Sequence, residues 1–204
     1  MSEASGPLFS EPVLVVRQKA KLIELTNEYD VFDQEGNQIG VVRQVGQSGM
    51  RKALRLVSSL DQFLTHHLEI ADSEGNVQLR LSRPGKVFKS RVIVSDGNGN
   101  EIGQIGQQNV FGKKRFALTA GEHTYGSIQA ENWRAWDFSI QDHTGQEVAR
   151  ITKKWEGLGK AVFTTADHYV LQIHQPLQDP LRALVIASAL AIDTALKQDA
   201  QGFN

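Results

Sequence analysis

The sequence predicts a mainly β protein, in which about twelve antiparallel strands close into a barrel around a hydrophobic C-terminal helix. Three observations support this fold class. A turn pattern, with an apolar residue two positions before an Asp and a Gly three positions after that Asp, occurs four times along the chain. Short segments between the turns alternate apolar and polar residues, which is typical of half-buried strands. One segment, residues 181–196, is instead rich in Ala and Leu and lacks Gly and Pro.

The repeated turn predicts four β-hairpins. An Asp side chain opens a tight turn by accepting hydrogen bonds from backbone N–H groups, and Gly takes the positive-φ position. The four pairs are Asp33/Gly36, Asp72/Gly75, Asp96/Gly99 and Asp142/Gly145. An EF-hand calcium loop is the alternative, but such a loop needs Gly at position six and Glu at position twelve. The stretch from Asp96 has Glu101 and Gln107 there, so the pattern fails.

Strand-like segments flank these turns from one end of the chain to the other. In order, they include "PVLVVRQ", "KLIELT", "ALRLVSSL", "HHLEIAD", "VIVSD", "RFALTA", "YGSIQA", "DFSIQD", "GKAVFTT" and "HYVLQIH". So many short strands with little helix between them favour a sandwich or a barrel.

The segment 181–196 is predicted to be a helix that begins just after "DP". At 1.5 Å per residue it is roughly 24 Å long, shorter than the about 30 Å core of a bilayer. Asp193 lies within it, and only Ser188 interrupts the apolar circumference before that point. Such a helix is buried in protein or in lipid. We favour the barrel interior, with a membrane span and a surface helix as alternatives. The residues predicted to form the enclosed face are Leu181, Leu184, Val185, Ser188, Ala191 and Ile192.

The D-x-x-G turns together with the ending "PLQDPLRALVIASALAID" (176–193) resemble the phospholipid scramblase and LURP-one-related branch of the tubby C-terminal-like fold. The resemblance covers residues 13–198, with a flexible tail expected at 1–12 and another at 199–204. It implies calcium-stimulated movement of phospholipid between leaflets, or binding of phosphoinositide head groups by basic residues of the barrel. The acidic loop expected before the last helix is reduced to "PLQDP", with Asp179 its single carboxylate, so calcium is not matched.

The middle of the chain is locally basic, although the net charge of the whole chain is −1. Residues 80–115 contain eight Lys or Arg and two Asp or Glu. If hairpins bring these cations together, they form a patch for lipid phosphates. The alternative is that they are solvated loop charges. The candidate headgroup-binding residues are Arg83, Lys86, Lys89, Arg91, Lys113, Lys114 and Arg115.

No residue pattern predicts catalysis or a resident metal. The chain has no Cys, and its six His residues show no metal-ligand spacing. We find no nucleophile-elbow motif, and a charge near zero does not favour nucleic acid. The N-terminus lacks a secretory pattern, so a cytoplasmic location is expected, peripheral at the inner face of the plasma membrane. We therefore expect a non-enzymatic partner of anionic phospholipid, without a cofactor. The alternatives are a soluble regulatory module and an integral scramblase anchored by the last helix.

Overall fold

In the computed structural model, the described residues are 6–18, 28–45, 66–84, 91–109, 114–132, 136–153 and 168–201. These residues form twelve strands and two helices. The strands are β1 (Val13–Gln18), β2 (Glu28–Phe32), β3 (Gln38–Val45), β4 (His66–Asp72), β5 (Val77–Arg83), β6 (Arg91–Asp96), β7 (Glu101–Gln107), β8 (Arg115–Ala120), β9 (His123–Asn132), β10 (Asp137–Asp142), β11 (Glu147–Thr152) and β12 (His168–Ile173). The helices are α1 (Pro7–Ser10) and α2 (Leu181–Gln201).

The strands form one closed antiparallel barrel, which confirms the predicted fold class. Each strand pairs with the next along the chain, and β1 closes the barrel by pairing with β12. At this closure Leu14 lies opposite Leu171, and on the other side Val16 lies opposite Val31. Closure leaves no unpaired sheet edge, so the strands satisfy one another's backbone hydrogen bonds all the way round.

The four Asp–Gly turns are confirmed as hairpin turns. Gly36, Gly75, Gly99 and Gly145 have φ between 86° and 91°, the left-handed region that Gly adopts without a steric cost. In the turn from Asp96, the Gly99 N–H donates to the Asp96 carbonyl at 3.0 Å. Strands alternate in direction, so all four turns lie at the same end of the barrel. We call this the turn end, and the opposite end the loop end.

Helix α2 runs through the barrel from the turn end toward the loop end. Leu184, Val185, Ser188 and Ile192 are fully buried, and Ala191 is 2% exposed. The Ser188 hydroxyl donates to the Leu184 carbonyl at 2.7 Å, which satisfies the polar group on this face within the helix itself.

The sequence-based prediction of a helix wrapped by the protein's own strands is confirmed. Leu181, at the helix start, is only partly buried. The helix continues past the predicted boundary at position 196 and ends at Gln201. Among the described residues, no helix combines the length and the hydropathy that crossing a membrane requires.

The prediction of a flexible tail over residues 1–12 is wrong for residues 7–12. Helix α1 buries Leu8 and Phe9, and it packs on α2 and β3 at the turn end. The Pro12 carbonyl accepts a hydrogen bond of 2.7 Å from the Ile173 N–H. The physical reason is that the open mouth of the barrel would otherwise expose apolar side chains of α2 to water. Residues 1–5 and 202–204 lie outside the described residues.

Candidate lipid-binding surface

The described candidate cations all lie at the loop end of the barrel. Arg83 ends β5, Arg91 begins β6, and Lys114 and Arg115 lie at the start of β8. Because β5 and β6 are neighbours and β8 is two strands further round, the pairing order gathers residues that are far apart in sequence. Lys86, Lys89 and Lys113 lie outside the described residues.

Arg91 and Arg115 are the exposed members of this group. In β6 the inward residues are Val92 and Val94, so Arg91 points to the outer face. In β8 the inward residues include Phe116, so Arg115 also points outward. With about 4.8 Å between strands and about 3.3 Å per residue, the two Cα positions are roughly 12 Å apart.

Arg83 differs from the others because it lies on the inner face of the barrel. Strand β5 alternates, and Leu79, Leu81 and Arg83 are its buried residues. Arg83 is 6% exposed, so it is not part of an outer patch. Lys114, which precedes β8, is half-buried and follows the inward register of Phe116. The single surface patch expected from the sequence is therefore divided, with exposed cations outside and Arg83 within the barrel mouth.

An aromatic cluster at the loop end was not predicted as a unit. The Trp136 ring stacks on Tyr169 with ring centroids 5.7 Å apart, and it lies nearly perpendicular to the Phe138 ring with centroids 6.2 Å apart. The Lys153 ammonium lies 5.0 Å from the centroid of the Trp136 ring, within the range of a cation–π contact. Trp136 also has φ of 53°, which a bulky residue rarely adopts. The packing of three rings and one cation holds this conformation and covers the core at this end.

The described carboxylates do not fit a calcium site. Asp179, which precedes α2, is paired with Arg182 at 2.9 Å. The hairpin carboxylates are used by their own turns, since one Asp96 oxygen accepts the Asn98 and Asn100 N–H groups at 2.9 Å. Within the described ranges, no group of three or more His, Asp or Glu residues could hold a metal ion. The calcium that the resemblance implies therefore has no matching donor set in this part of the chain.

The turn carboxylates are held in their charged form. The pKa of Asp96 is lowered from its ordinary value, mainly because its carboxylate accepts a hydrogen bond from the Asn100 side chain. Partial burial acts in the opposite direction, and hydrogen bonds from backbone N–H groups lower the pKa further. The Thr144 hydroxyl has the main role at Asp142, whose pKa is likewise lowered. The turn end therefore stays negatively charged well below neutral pH, in contrast to the cations at the loop end.

These features define a class of protein: a closed twelve-strand barrel that encloses its own C-terminal helix and presents cations at one end. The Scramblase family profile matches residues 3–196. The chain belongs to the Scramblase family.

Comparisons with individual proteins agree with this membership. The chain is 23% identical over 190 residues to a phospholipid scramblase family protein of Schizosaccharomyces pombe, covering 84% of this chain and 49% of that protein. It is 22% identical over 234 residues to altered inheritance rate of mitochondria protein 25 of Saccharomyces cerevisiae, covering 91% of this chain and 70% of that protein. The chain thus spans about half the length of the first relative.

A solved structure supports the fold alone. A protein from Arabidopsis thaliana, determined by X-ray crystallography, superposes with a TM-score of 0.52 at 10% sequence identity. The superposition covers 94% of this chain and 96% of that one. At this identity the likeness concerns the path of the backbone, and it carries no statement about ligands.

Proposed function

We propose that this protein binds anionic phospholipid at a membrane surface, without bond-making chemistry, through the cations at its loop end. Family membership points to a phospholipid-related role. The observation that carries the proposal is the outward placement of Arg91 and Arg115 at one end of the barrel. Each Lys or Arg near an anionic surface contributes about 1 kcal/mol. We place the protein in the cytoplasm, peripheral to the anionic inner face of the plasma membrane, where it would promote movement of phospholipid between leaflets.

The test is a charge-matched pair of double variants in a vesicle sedimentation assay. Arg91→Gln with Arg115→Gln removes two positive charges at the loop end. Gln34→Glu with Asn98→Glu makes the same change in net charge at exposed positions of the turn end. The vesicles contain three parts phosphatidylserine to seven parts phosphatidylcholine, and phosphatidylcholine alone is the reference.

The loop-end variant is expected to bind the anionic vesicles about 30-fold more weakly, since two cations contribute about 2 kcal/mol together. The turn-end variant is expected to change binding less than twofold, because its charges lie far from the lipid. Equal binding by wild type and both variants would reject the proposal. Exchange of a fluorescent lipid between leaflets of the same vesicles tests the transport part separately.

A second candidate function is a soluble regulatory or interaction module of LURP-one-related type. The observation that favours it is a cleft of about 420 Å³ at the turn end, within the range of ligand pockets. Phe9, Pro12 and Leu177 form apolar parts of its wall, and His174 and Arg182 supply polar groups. A module of this kind would remain in the supernatant with every vesicle composition, so the sedimentation assay distinguishes the two functions.

A further inference from the structure

One of the four hairpin turns carries an Asn directly before its positive-φ Gly. In this turn, which joins β6 to β7, the pair is Asn98 and Gly99. Asn98 is the only Asn in the whole sequence that is followed by Gly. The other three turns have Glu35, Glu74 and Thr144 at the corresponding position, so they lack a side-chain amide next to the Gly.

An Asn–Gly pair can rearrange in water without an enzyme. The Gly nitrogen bonds to the Asn side-chain carbon Cγ, the bond from Cγ to the amide nitrogen breaks, and that nitrogen leaves as ammonia with the proton from Gly. The product is a five-membered succinimide ring. Water opens this ring at either carbonyl carbon and gives Asp or isoaspartate, and in isoaspartate the backbone is longer by one carbon. Gly allows the attack most readily because it has no Cβ to obstruct the approach.

The structure exposes this pair to water and at the same time restrains its backbone. Asn98, Gly99 and Asn100 are all exposed. The Gly99 N–H donates to the Asp96 carbonyl at 3.0 Å, and the Asn98 N–H donates to the Asp96 carboxylate at 2.9 Å. The nitrogen that must attack is therefore engaged in a hydrogen bond of the turn itself. Folding slows the reaction, because this bond has to open first.

The same turn contains an Asp–Gly pair, Asp96 and Gly97, which can form the same ring. Ring closure at Asp requires a protonated carboxyl group, because an oxygen must leave as water. The Asp96 carboxylate accepts the Asn98 and Asn100 N–H groups at 2.9 Å and the Asn100 side-chain amide at 2.8 Å. These hydrogen bonds favour its charged form. Asn98 is therefore the reactive position of this turn.

Strand β5 fixes one side of the turn, which limits how the turn can respond to a longer backbone. The Gly97 carbonyl accepts a hydrogen bond of 3.2 Å from Arg80 Nε. A Cβ added at Gly97 would overlap the Val77 carbonyl oxygen, so the two backbones are in close contact. An extra carbon after position 98 must then be accommodated on the other side, where the Gly99 N–H is bonded to the Asp96 carbonyl. Breaking that bond would disturb the pairing of β6 with β7.

We propose that Asn98 is a site of spontaneous deamidation, and that isoaspartate at this position weakens the β6–β7 hairpin while Asp does not. Asp keeps the backbone length, and Glu35 and Glu74 already place exposed carboxylates at the corresponding position of two intact hairpins. Aged protein would therefore contain a stable form with one added negative charge and a less stable form with a lengthened turn. The proposal is independent of lipid binding.

The first test is incubation of the full chain at mildly alkaline pH, in buffer and in concentrated urea, followed by mass spectrometry of tryptic peptides. The peptide 92–113 contains Asn98, Asn100 and Asn109, and its fragmentation distinguishes the three positions. Deamidation is expected at Asn98 first, mainly as isoaspartate. It should be on the order of tenfold slower in buffer than in urea, because the hydrogen bond to the attacking nitrogen must open. Asn98→Thr, which copies the turn from Asp142, is the control and should show no conversion at position 98.

Three results would contradict this part of the proposal. Earlier deamidation at Asn100 or Asn109 would overturn the assignment of the site. The absence of conversion in buffer by the time the urea sample has reacted completely would overturn it as well, because the folded turn would then protect Asn98 fully. Equal rates in buffer and urea would show that the turn does not hold the attacking nitrogen.

The second test compares two proteins of equal charge that differ in the backbone link at position 98. One is the deamidated fraction of aged wild type, purified by anion exchange, and the other is the Asn98→Asp variant made directly. The deamidated fraction is expected to unfold at a lower urea concentration than Asn98→Asp, which should match fresh wild type. Equal midpoints for the two would overturn the weakening of the hairpin while leaving Asn98 as the site.

Discussion

Replacing Leu184 with Ala tests whether α2 is enclosed by the barrel. Leu184 is 0% exposed on the part of the helix that the strands surround. The substitution removes three carbon groups, worth about 0.8 kcal/mol each in transfer free energy, or about 2.4 kcal/mol together. A rigid barrel cannot collapse fully onto the space left behind, and the remaining cavity raises the expected cost to about 3 to 4 kcal/mol.

The measurement is urea-induced unfolding of Leu184→Ala, followed by tryptophan fluorescence and by circular dichroism. The free energy of unfolding should fall by the amount above without a change in the denaturant slope. Leu181→Ala is the matched control, because it is the same substitution in the same helix at a partly buried position. It should cost about 1 kcal/mol. A loss below about 1 kcal/mol for Leu184→Ala would refute the reasoning, because it would mean that the side chain is not packed on both sides.

Three further predictions concern the turns, the strands and α1. Stability should decrease as pH falls from about 6 to about 2.5. The pKa of Asp96 is lower in the folded protein than in the unfolded chain, so its charge contributes stability that is present above the unfolded pKa and is lost on protonation. Asp96→Asn should reduce this dependence of the urea midpoint on pH, and an unchanged dependence would contradict the prediction. Gly103→Ala should destabilise the protein by about 1 to 3 kcal/mol, because the added Cβ would overlap the Thr119 carbonyl oxygen. Gly106→Ala is the control: its added Cβ meets nothing within 4 Å, so it should change stability by less than about 0.5 kcal/mol. Equal effects of the two variants in thermal unfolding would show that the close approach at Gly103 is absent. Phe9→Ala should lower the free energy of unfolding by about 3 kcal/mol, whereas Ser10→Ala, at an exposed position, should change it very little. A Phe9→Ala variant as stable as the wild type in the same unfolding assay would show that α1 does not close the barrel.

Local chemistry explains why the turns and the helix could be predicted from the sequence. An Asp and a Gly at fixed spacing specify a tight turn wherever they occur, and no distant contact is needed to form it. The apolar circumference of α2 requires burial, and the alternating strands offered apolar faces that needed a partner. Ser188 did not disturb this prediction, because a hydroxyl can bond to the carbonyl four residues earlier.

The candidate site was predicted less well because it depends on which face of each strand is buried. The burial of Arg83 could have been predicted from the sequence, because side chains alternate between the two faces of a strand and Leu79, Leu81 and Arg83 therefore share one face. Proximity along the chain groups the cations differently, because it ignores which face of a strand each one occupies. The Trp136 cluster joins β12 and the segments beside β10 and β11, so its partner Tyr169 could be found only from the strand pairing. The packing of α1 depends on the open end of the barrel, which no local pattern describes.

The enclosure of α2 determines how the protein can engage a membrane. Withdrawing this helix into lipid would remove Leu184, Val185, Ile186, Leu190 and Ile192 from the barrel core. Lipid would keep these side chains out of water, but the apolar strand side chains that pack on them would be left in water. At about 1.5 to 3 kcal/mol for each, five such side chains would cost roughly 7 to 15 kcal/mol, comparable to the whole stability of a domain. Insertion of α2 would therefore unfold the barrel rather than anchor it. The proposed binding through the loop end would then be electrostatic, and raising the salt concentration should release the protein from anionic vesicles. Protein that stays bound at high salt and leaves only with detergent would show that α2 enters the bilayer.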